Sequence, residues 1–135
     1  MVTFNVATEV ENLKLDLGGY GNRSLHEQSH GESFLALADH RFRGHGLYIL
    51  DEPEAALSPQ RQLSFLSIMR RLVTSNSQLV IATHSPILMA YPGAQLYQLG
   101  PAGIAPVAYE DTEHFQITRS FLANRDSFLR RLFDD

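Results

Sequence analysis

Two carboxylates follow directly on a short apolar run of this sequence. Residues 47–50 are Leu-Tyr-Ile-Leu, and Asp51, Glu52 and Pro53 come next. Such a run is typical of a strand that is buried on both faces of a parallel sheet. Ionised carboxylates beside a dry core are costly unless they meet a cation or a proton, and α/β sheets place their ligands at the carboxyl ends of strands. The pair therefore predicts a metal ion and a reacting water at this strand end.

Two further groups of polar residues flank other predicted elements. Residues 82–85 (Ala-Thr-His-Ser) end a second apolar strand, and residues 29–33 (Ser-His-Gly-Glu-Ser) open a helix. The free N–H groups and the dipole of a helix N-terminus favour anionic oxygens, provided that small residues let the anion approach. Residues 29–33 are therefore suited to bind an anion.

The elements that must position these residues form a βαβ unit. Ser58 and Pro59 predict the start of a helix, which an apolar stripe continues and which ends near Ser75 and Asn76. This helix joins the strand 47–50 to the strand 79–83. The arrangement predicts a parallel pair of strands with a right-handed crossover.

The remaining pattern predicts one helix before this unit, with a strand pair and two helical segments after it. The strand pair is expected to be a hairpin, because two glycines and a proline occur between its strands. The second tail segment is expected to begin after a cap at Asp126 or Ser127. The predicted ranges are 33–42 for the first helix, 95–99 and 104–108 for the strands, and 115–122 and 128–132 for the tail.

The composition is that of an ordinary globular domain. The 135 residues carry 11 basic and 15 acidic side chains, for a net charge of −4, and contain no cysteine. We expect one domain at most, without the basic surface of a nucleic-acid binder and without disulfides or thiolate metal sites. No apolar run approaches the roughly 20 residues of a transmembrane helix, and no signal peptide follows Met1. These features favour a cytoplasmic protein.

In order, spacing and context, the motifs 29–33, 50–53 and 82–85 are similar to those in the second half of an ABC-type ATPase domain. The likeness covers residues 24–100 and is greatest to small bacterial predicted ATPases of the chromosome-maintenance type. It implies an α/β fold, with part of the parallel sheet of P-loop NTPases flanked by helices, a C-terminal strand pair and a helical tail.

The resemblance also implies one partial ATPase domain over residues 1–135, made of four parts. These are a loop-rich lead-in (1–23), a signature-like motif with its helix (24–45), a region with Walker B, D-loop-like and switch-histidine elements (46–110), and a helical tail (111–135).

Roles for individual residues follow from the same resemblance. ATP would be hydrolysed with Mg²⁺, which an acidic residue holds while a neighbouring base orients the attacking water. The signature-like residues would complete the site of a partner subunit across a head-to-tail dimer. The implied assignments are Asp51 for magnesium, Glu52 as the base, His84 as the γ-phosphate sensor, Ser29, Gly31 and Glu32 for the trans-acting surface, and Ser58 for the D-loop.

Two positions depart from the family's pattern. His30 stands where the signature motif has its first glycine, and Ser58 stands where the D-loop has aspartate. A histidine side chain opposes close approach to the backbone at the first position. The serine can still cap the helix that follows it.

The phosphate loop Gly-x-x-x-x-Gly-Lys-Ser/Thr is missing, since no glycines precede the only lysine, Lys14. The resemblance therefore implies a fragment without the phosphate-loop strand, which in this family lies between the strand 79–83 and the strand 95–99. We expect the strand 79–83 to present an unpaired apolar edge. We also expect the isolated chain to bind ATP weakly and to hydrolyse it negligibly, so that an enzymatic activity of its own stays open.

Other functions are compatible with the sequence. A non-catalytic or split-subunit module would pair with a complete ATPase half or form a homodimer, and would hydrolyse nothing alone. A nucleic-acid partner rests on fold-level analogy only. His26-Glu27-x-x-His30 has the spacing of a zinc metalloprotease motif, but glycines on both sides oppose the helix it needs, and no good third ligand follows.

Overall fold

The computed structural model describes residues 2–4 and 30–134, and its architecture is α/β, as predicted. The strands are β1 (Val2–Phe4), β2 (Leu47–Asp51), β3 (Gln78–Thr83), β4 (Leu96–Gly100) and β5 (Gly103–Val107). The helices are α1 (His30–Arg41), α2 (Pro59–Thr74), α3 (Pro86–Met89), α4 (Glu113–Ala123) and α5 (Arg125–Phe133), with 3-10 turns at Pro53–Ala56 and Tyr109–Asp111. Within the described ranges, no helix combines the length and apolar character that crossing a bilayer requires.

The predicted parallel pair is formed by β2 and β3, with Asp51 opposite Ala82 at their carboxyl ends. The helix between them, α2, begins where predicted, because Ser58 Oγ accepts a hydrogen bond from the N–H of Arg61 at 3.3 Å. The predicted hairpin is formed by β4 and β5, which pair in antiparallel direction. The local sequence signals therefore place these elements correctly.

A short strand from the start of the chain overturns one expectation. We expected the strand 79–83 to have an unpaired edge, which is wrong, because β1 pairs with β3 in antiparallel direction, Val2 opposite Thr83. The other edge of β1 pairs with β4, so the sheet order is β2-β3-β1-β4-β5. β1 thus occupies the place that the resemblance gives to the phosphate-loop strand, and it pairs with backbone groups that would otherwise be exposed.

One face of the sheet is covered by helices and holds the core. Tyr48, Leu79, Ile81 and Leu96 lie on this face and are buried. Burial of each leucine or isoleucine side chain among them contributes about 1.5–3 kcal/mol. The buried helix residues that form one cluster with them are Ala38 of α1, Phe65, Met69 and Leu72 of α2, and Leu88 and Met89 of α3.

The opposite face of the sheet, which we call the open face, is less covered. Ile49 and Ile104 lie at its two ends and expose 67% and 70% of their surface. The expectation that the strand 47–50 is buried on both faces is therefore wrong, because Ile49 points to the open face. The strand register places the following side chains there, none of them buried: Leu47, Ile49, Val80, Ala82, Tyr97, Leu99, Ile104 and Pro106.

The connection before β2 is hydrogen-bonded to the connection before β3. The N–H of His45 donates to the carbonyl of Ser75 at 2.9 Å, and the N–H of Gln78 donates to the carbonyl of Gly46 at 2.8 Å. These bonds align the amino ends of the two strands. The two strands therefore end side by side at their carboxyl ends.

The predicted helical tail is confirmed, but its second cap is not at Asp126 or Ser127. The helix α5 already begins at Arg125, directly after Asn124. Asn124 ends α4 and also starts α5, and its carbonyl accepts a hydrogen bond from the N–H of Ser127 at 3.1 Å. One residue thus serves both helix ends, which shortens the connection that we expected.

Candidate functional site

The carboxyl ends of β2 and β3 bring Glu52 and His84 together. Each residue directly follows its strand, and parallel pairing places both at the same edge of the sheet. His84 Nε2 lies 3.5 Å from Glu52 Oε1. The two side chains are 52% and 51% exposed, so both are accessible to a ligand from solvent. At this exposure their contact contributes little to stability.

The backbone of Glu52 is left-handed, with φ 44° and ψ 52°. This conformation costs a residue other than glycine about 1–2 kcal/mol. Two hydrogen bonds hold it, because the N–H of Glu52 donates to the carbonyl of Ala82 at 2.8 Å and its own carbonyl accepts from the N–H of Ala55 at 3.0 Å. Backbone strain of this kind persists where neighbouring contacts over-determine it, which is frequent at functional sites.

Asp51 is the last residue of β2 and is exposed. Alternation along the strand places it on the same side as Ile49, the open face. Within the described ranges, no group of three or more His, Asp or Glu side chains is arranged to hold a metal ion. A lone carboxylate nevertheless fits Mg²⁺, which proteins commonly bind through one or two carboxylates together with substrate phosphates and water. Asp51 is therefore suited to Mg²⁺ only when phosphate oxygens share the ion.

His84 has two further partners, which the sequence analysis did not single out. Its backbone N–H donates to Glu54 Oε1 at 2.7 Å, and its ring Nδ1 lies 2.9 Å from Nε2 of His114. Glu54 is close in sequence to the acidic pair and could have been included with it. His114 stands 30 positions away from His84, and a lone histidine in a helix carries no signal of such a contact. Only the packing of α4 reveals it.

Burial and the neighbouring His84 lower the pKa of the His114 imidazole, while Glu113 and Glu54 oppose the shift. Since an unperturbed histidine titrates at about 6.5, His114 is neutral at pH 7. A neutral imidazole has one donor and one acceptor nitrogen. The two rings can therefore share a hydrogen bond without repulsion between like charges.

The signature-like residues are only partly described. Ser29 lies outside the described residues, whereas Gly31 and Glu32 are in the first turn of α1. Glu32 Oε1 accepts a hydrogen bond from Arg61 Nη2 at 2.9 Å. The backbone N–H of the same arginine donates to Ser58 Oγ. The fold therefore connects Glu32 and Ser58 through hydrogen bonds of one arginine.

The His-Glu-x-x-His pattern falls largely outside the described residues. His26 and Glu27 are among the residues that are not described, and α1 begins at His30. The zinc-protease alternative therefore stays a hypothesis without structural support.

Residues 6–90, more than half of the chain, match the model of a protein family described as AAA domain, putative AbiEii toxin, Type IV TA system. The chain belongs to this AAA-domain family. It is therefore an ATPase-type, nucleotide-binding module, which confirms the coarser part of the resemblance. No curated protein and no solved structure matches the chain.

The matched part of this AAA domain includes both strand ends described above. It contains β2, α2 and β3, and with them Glu52 and His84. His114 lies beyond the matched residues, on a helix that packs against α3. The family match therefore covers the acidic strand end and His84 but not His114.

Proposed function

We propose that this AAA domain takes part in ATP hydrolysis as the second half of an ABC-type site, most similar to the chromosome-maintenance-like branch. The contact that carries the proposal is the 3.5 Å approach of His84 Nε2 to Glu52 Oε1, since the two residues come from different strands. A base and a phosphate sensor must act on the same phosphoryl group, and this requires such proximity.

Each residue at this edge has a distinct role in the proposal. Glu52 orients the attacking water and accepts its proton, and the accessible imidazole of His84 donates a hydrogen bond to the γ-phosphate. Asp51 holds Mg²⁺, which neutralises phosphate oxygens when it is bound. The strained backbone of Glu52 turns its side chain toward His84 instead of continuing the strand.

The trans-acting surface is proposed to consist of Ser29, Gly31 and Glu32, with Ser58 as the D-loop residue. Arg61 supports this assignment, because it contacts both Glu32 and Ser58 and so links the first turn of α1 to the start of α2. A second subunit would present its nucleotide to this surface.

Titration of the full chain with Mg²⁺ and ATP tests the proposal by NMR. The backbone signals of residues 51, 52 and 84 should shift, with a Kd of about 1 mM or weaker because no phosphate loop is present. Asp51→Asn should remove the dependence of these shifts on Mg²⁺. Asp126→Asn, which changes an exposed aspartate on α5, should retain it. Shifts that keep their Mg²⁺ dependence in Asp51→Asn would contradict the assignment.

Hydrolysis provides a second test. The isolated wild-type chain and Glu52→Gln should both show negligible turnover, since neither contains a phosphate loop. Turnover in the wild type that disappears in Glu52→Gln would show that the chain completes a site by itself. That outcome would retain Glu52 as the base but reject the need for a second half.

The open face favours a second candidate, a non-catalytic or split-subunit module that pairs with another polypeptide. Exposed apolar patches commonly mark protein–protein contacts, and Ile49 and Ile104 are both largely exposed on this face. Asp51 lies on the same face. A partner that covers it, whether a complete ATPase half or a second copy of the chain, would therefore meet the carboxylate proposed for Mg²⁺. This candidate predicts association through the open face and no hydrolysis by the chain alone.

A further inference from the structure

The contact between His84 and His114 fixes where the imidazole protons must lie. The rings are 5.1 Å apart between centroids and inclined by 38°, and the 2.9 Å between His84 Nδ1 and His114 Nε2 is a hydrogen-bond distance. Two imidazole nitrogens form a hydrogen bond only when one carries a proton and the other does not. The question is which of the two rings donates.

The contact of the other nitrogen of His84 indicates which ring donates. His84 Nε2 faces Glu52 Oε1 at 3.5 Å, and an ionised carboxylate only accepts hydrogen bonds. The proton of a neutral His84 is therefore favoured on Nε2, which leaves Nδ1 as an acceptor. It follows that His114 Nε2–H is the donor.

We propose that His114 is a positioning residue, which fixes the tautomer of His84 by donating Nε2–H to its Nδ1. This arrangement keeps the Nε2–H of His84 directed toward Glu52, where the proposed function places the attacking water and the γ-phosphate. The catalytic meaning of the contact rests on that proposed function. The tautomer itself does not, because it follows from contacts within the chain.

Several contacts hold His114 in place relative to His84. Tyr109 OH donates to the carbonyl of Pro86 at 2.8 Å, only two residues beyond His84. The ring of Tyr109 packs against Phe115 with centroids 4.8 Å apart. The buried Thr112 caps the helix that carries His114. The donor is thus attached to the same segment as the ring that it orients.

The surrounding charges are consistent with a neutral donor. The charged groups that act on His114 are His84 after β3, the α-amino group of the chain, Glu113 on its own helix and Glu54 in the 3-10 turn. Burial and His84 lower the pKa of His114 more than the two carboxylates raise it. Near neutral pH His114 is therefore a neutral ring that can donate its Nε2–H.

NMR of the ¹⁵N-labelled full chain at about pH 8, above the ordinary histidine pKa, tests the proposal without nucleotide. Long-range ¹H–¹⁵N spectra should show both His84 and His114 as Nε2–H tautomers. A ¹⁵N–¹⁵N coupling through the hydrogen bond should join His114 Nε2 to His84 Nδ1. A proton found on His84 Nδ1, or the absence of this coupling, would overturn the proposal.

Three variants separate positioning from a merely structural contact. His114→Gln retains an N–H donor and should keep His84 as the Nε2–H tautomer. His114→Phe retains an aromatic ring without a donor, and the share of the Nδ1–H tautomer of His84 should then rise, because only Glu52 remains to favour Nε2–H. His40→Gln, an exposed histidine of α1, should change nothing at His84. An unchanged His84 tautomer in His114→Phe would refute the proposal.

These readouts distinguish two kinds of failure. If the tautomer is fixed by His114 but Mg²⁺ and ATP cause no shift at residues 51, 52 and 84, the proposed function fails and the positioning survives. If nucleotide binds there and the tautomer of His84 does not depend on His114, only the positioning is wrong.

Discussion

At the scale of single residues, Glu52 combines a strained backbone with the side chain proposed as the base. Its backbone leaves the strand in a left-handed conformation, and its side chain lies 3.5 Å from His84. Few side chains adopt such a conformation readily, and glycine adopts it without penalty. Glutamate at this position therefore destabilises the fold relative to glycine, but it places a carboxylate at the strand end.

Glycine at position 52 should therefore stabilise the fold relative to alanine. We expect Glu52→Gly to have a free energy of unfolding about 1 kcal/mol above that of Glu52→Ala, because only alanine retains the strain of a positive φ. Urea denaturation of the two variants measures this difference. At Ser67, an exposed position inside α2, the order should reverse by about 1 kcal/mol, since glycine is the poorer helix former. If the glycine variant is the more stable of the two at both positions, or the less stable at both, the backbone of Glu52 is not strained.

His114 should make stability depend on pH. Its pKa is lowered in the folded chain by burial and by His84, against the opposing effect of Glu113 and Glu54. The unfolded chain then takes up a proton first, so this contribution is complete above about pH 6.5 and is lost as pH falls through the lower folded value. Urea denaturation from pH 8 to pH 5, rough bounds around that value, should show a steeper loss for the wild type than for His114→Gln.

The exposed His40 supplies the control for this dependence. His40→Gln should retain the steep loss of stability below neutral pH, as His40 lies in α1 and is exposed. Equal slopes for the wild type and His114→Gln would show that the imidazole pair does not link protonation to folding.

At the scale of elements, the site depends on two strands that end together. The connections before β2 and β3 bond to each other, which sets the register through which Glu52 and His84 meet. Gly44 lies in the first connection and passes very close to the second. A Cβ at Gly44 would lie 2.8 Å from the carbonyl oxygen of Ser75 and 2.9 Å from its Cβ.

A methyl group at position 44 should therefore disturb the register. We expect Gly44→Ala to lower the free energy of unfolding by about 1–3 kcal/mol, because the clash is with backbone and cannot be relieved by rotating a side chain. Gly100→Ala is the matched control, since nothing lies within 4 Å of a Cβ at that position. Similar stability in the two variants, measured by thermal denaturation, would contradict the close approach.

At the scale of the whole molecule, helices in the described part of the chain cover one face of the sheet, and the open face keeps large apolar side chains exposed. The core lies between the sheet and α1, α2 and α3, whereas Ile49 and Ile104 remain largely exposed. An exposed apolar face of this kind tends to associate. The place of Asp51 on this face connects the question of association to the proposed Mg²⁺ site.

Threonine at both exposed isoleucines should weaken association without unfolding the chain. The double variant Ile49→Thr, Ile104→Thr retains β-branched side chains, so its stability should change by less than about 1 kcal/mol. Sedimentation equilibrium should show less self-association for it than for the wild type. Leu122→Gln, which removes an exposed apolar side chain from α4, should leave association unchanged. An equal effect of both changes would rule out the open face as the contact.

Much of the fold could be predicted from the sequence because its signals are local. Ser58 with Pro59 marks the start of α2. Short apolar segments that lie between turns mark β2 and β3. The acidic pair and His84 were found because each directly follows such a strand. The family match over residues 6–90 agrees with that interpretation at the level of an ATPase-type domain.

Residue order alone thus determined an α/β chain with two parallel strands, and it placed Asp51, Glu52 and His84 at their ends. Tertiary structure alone decided that β1 fills the sheet beside β3, that Ile49 faces outward, and that His114 contacts His84. The physical reason is the separation along the chain over which each interaction acts. Caps, turns and apolar periodicity act over a few residues, whereas strand insertion, exposure and the meeting of two imidazoles depend on packing between segments that are far apart in the chain.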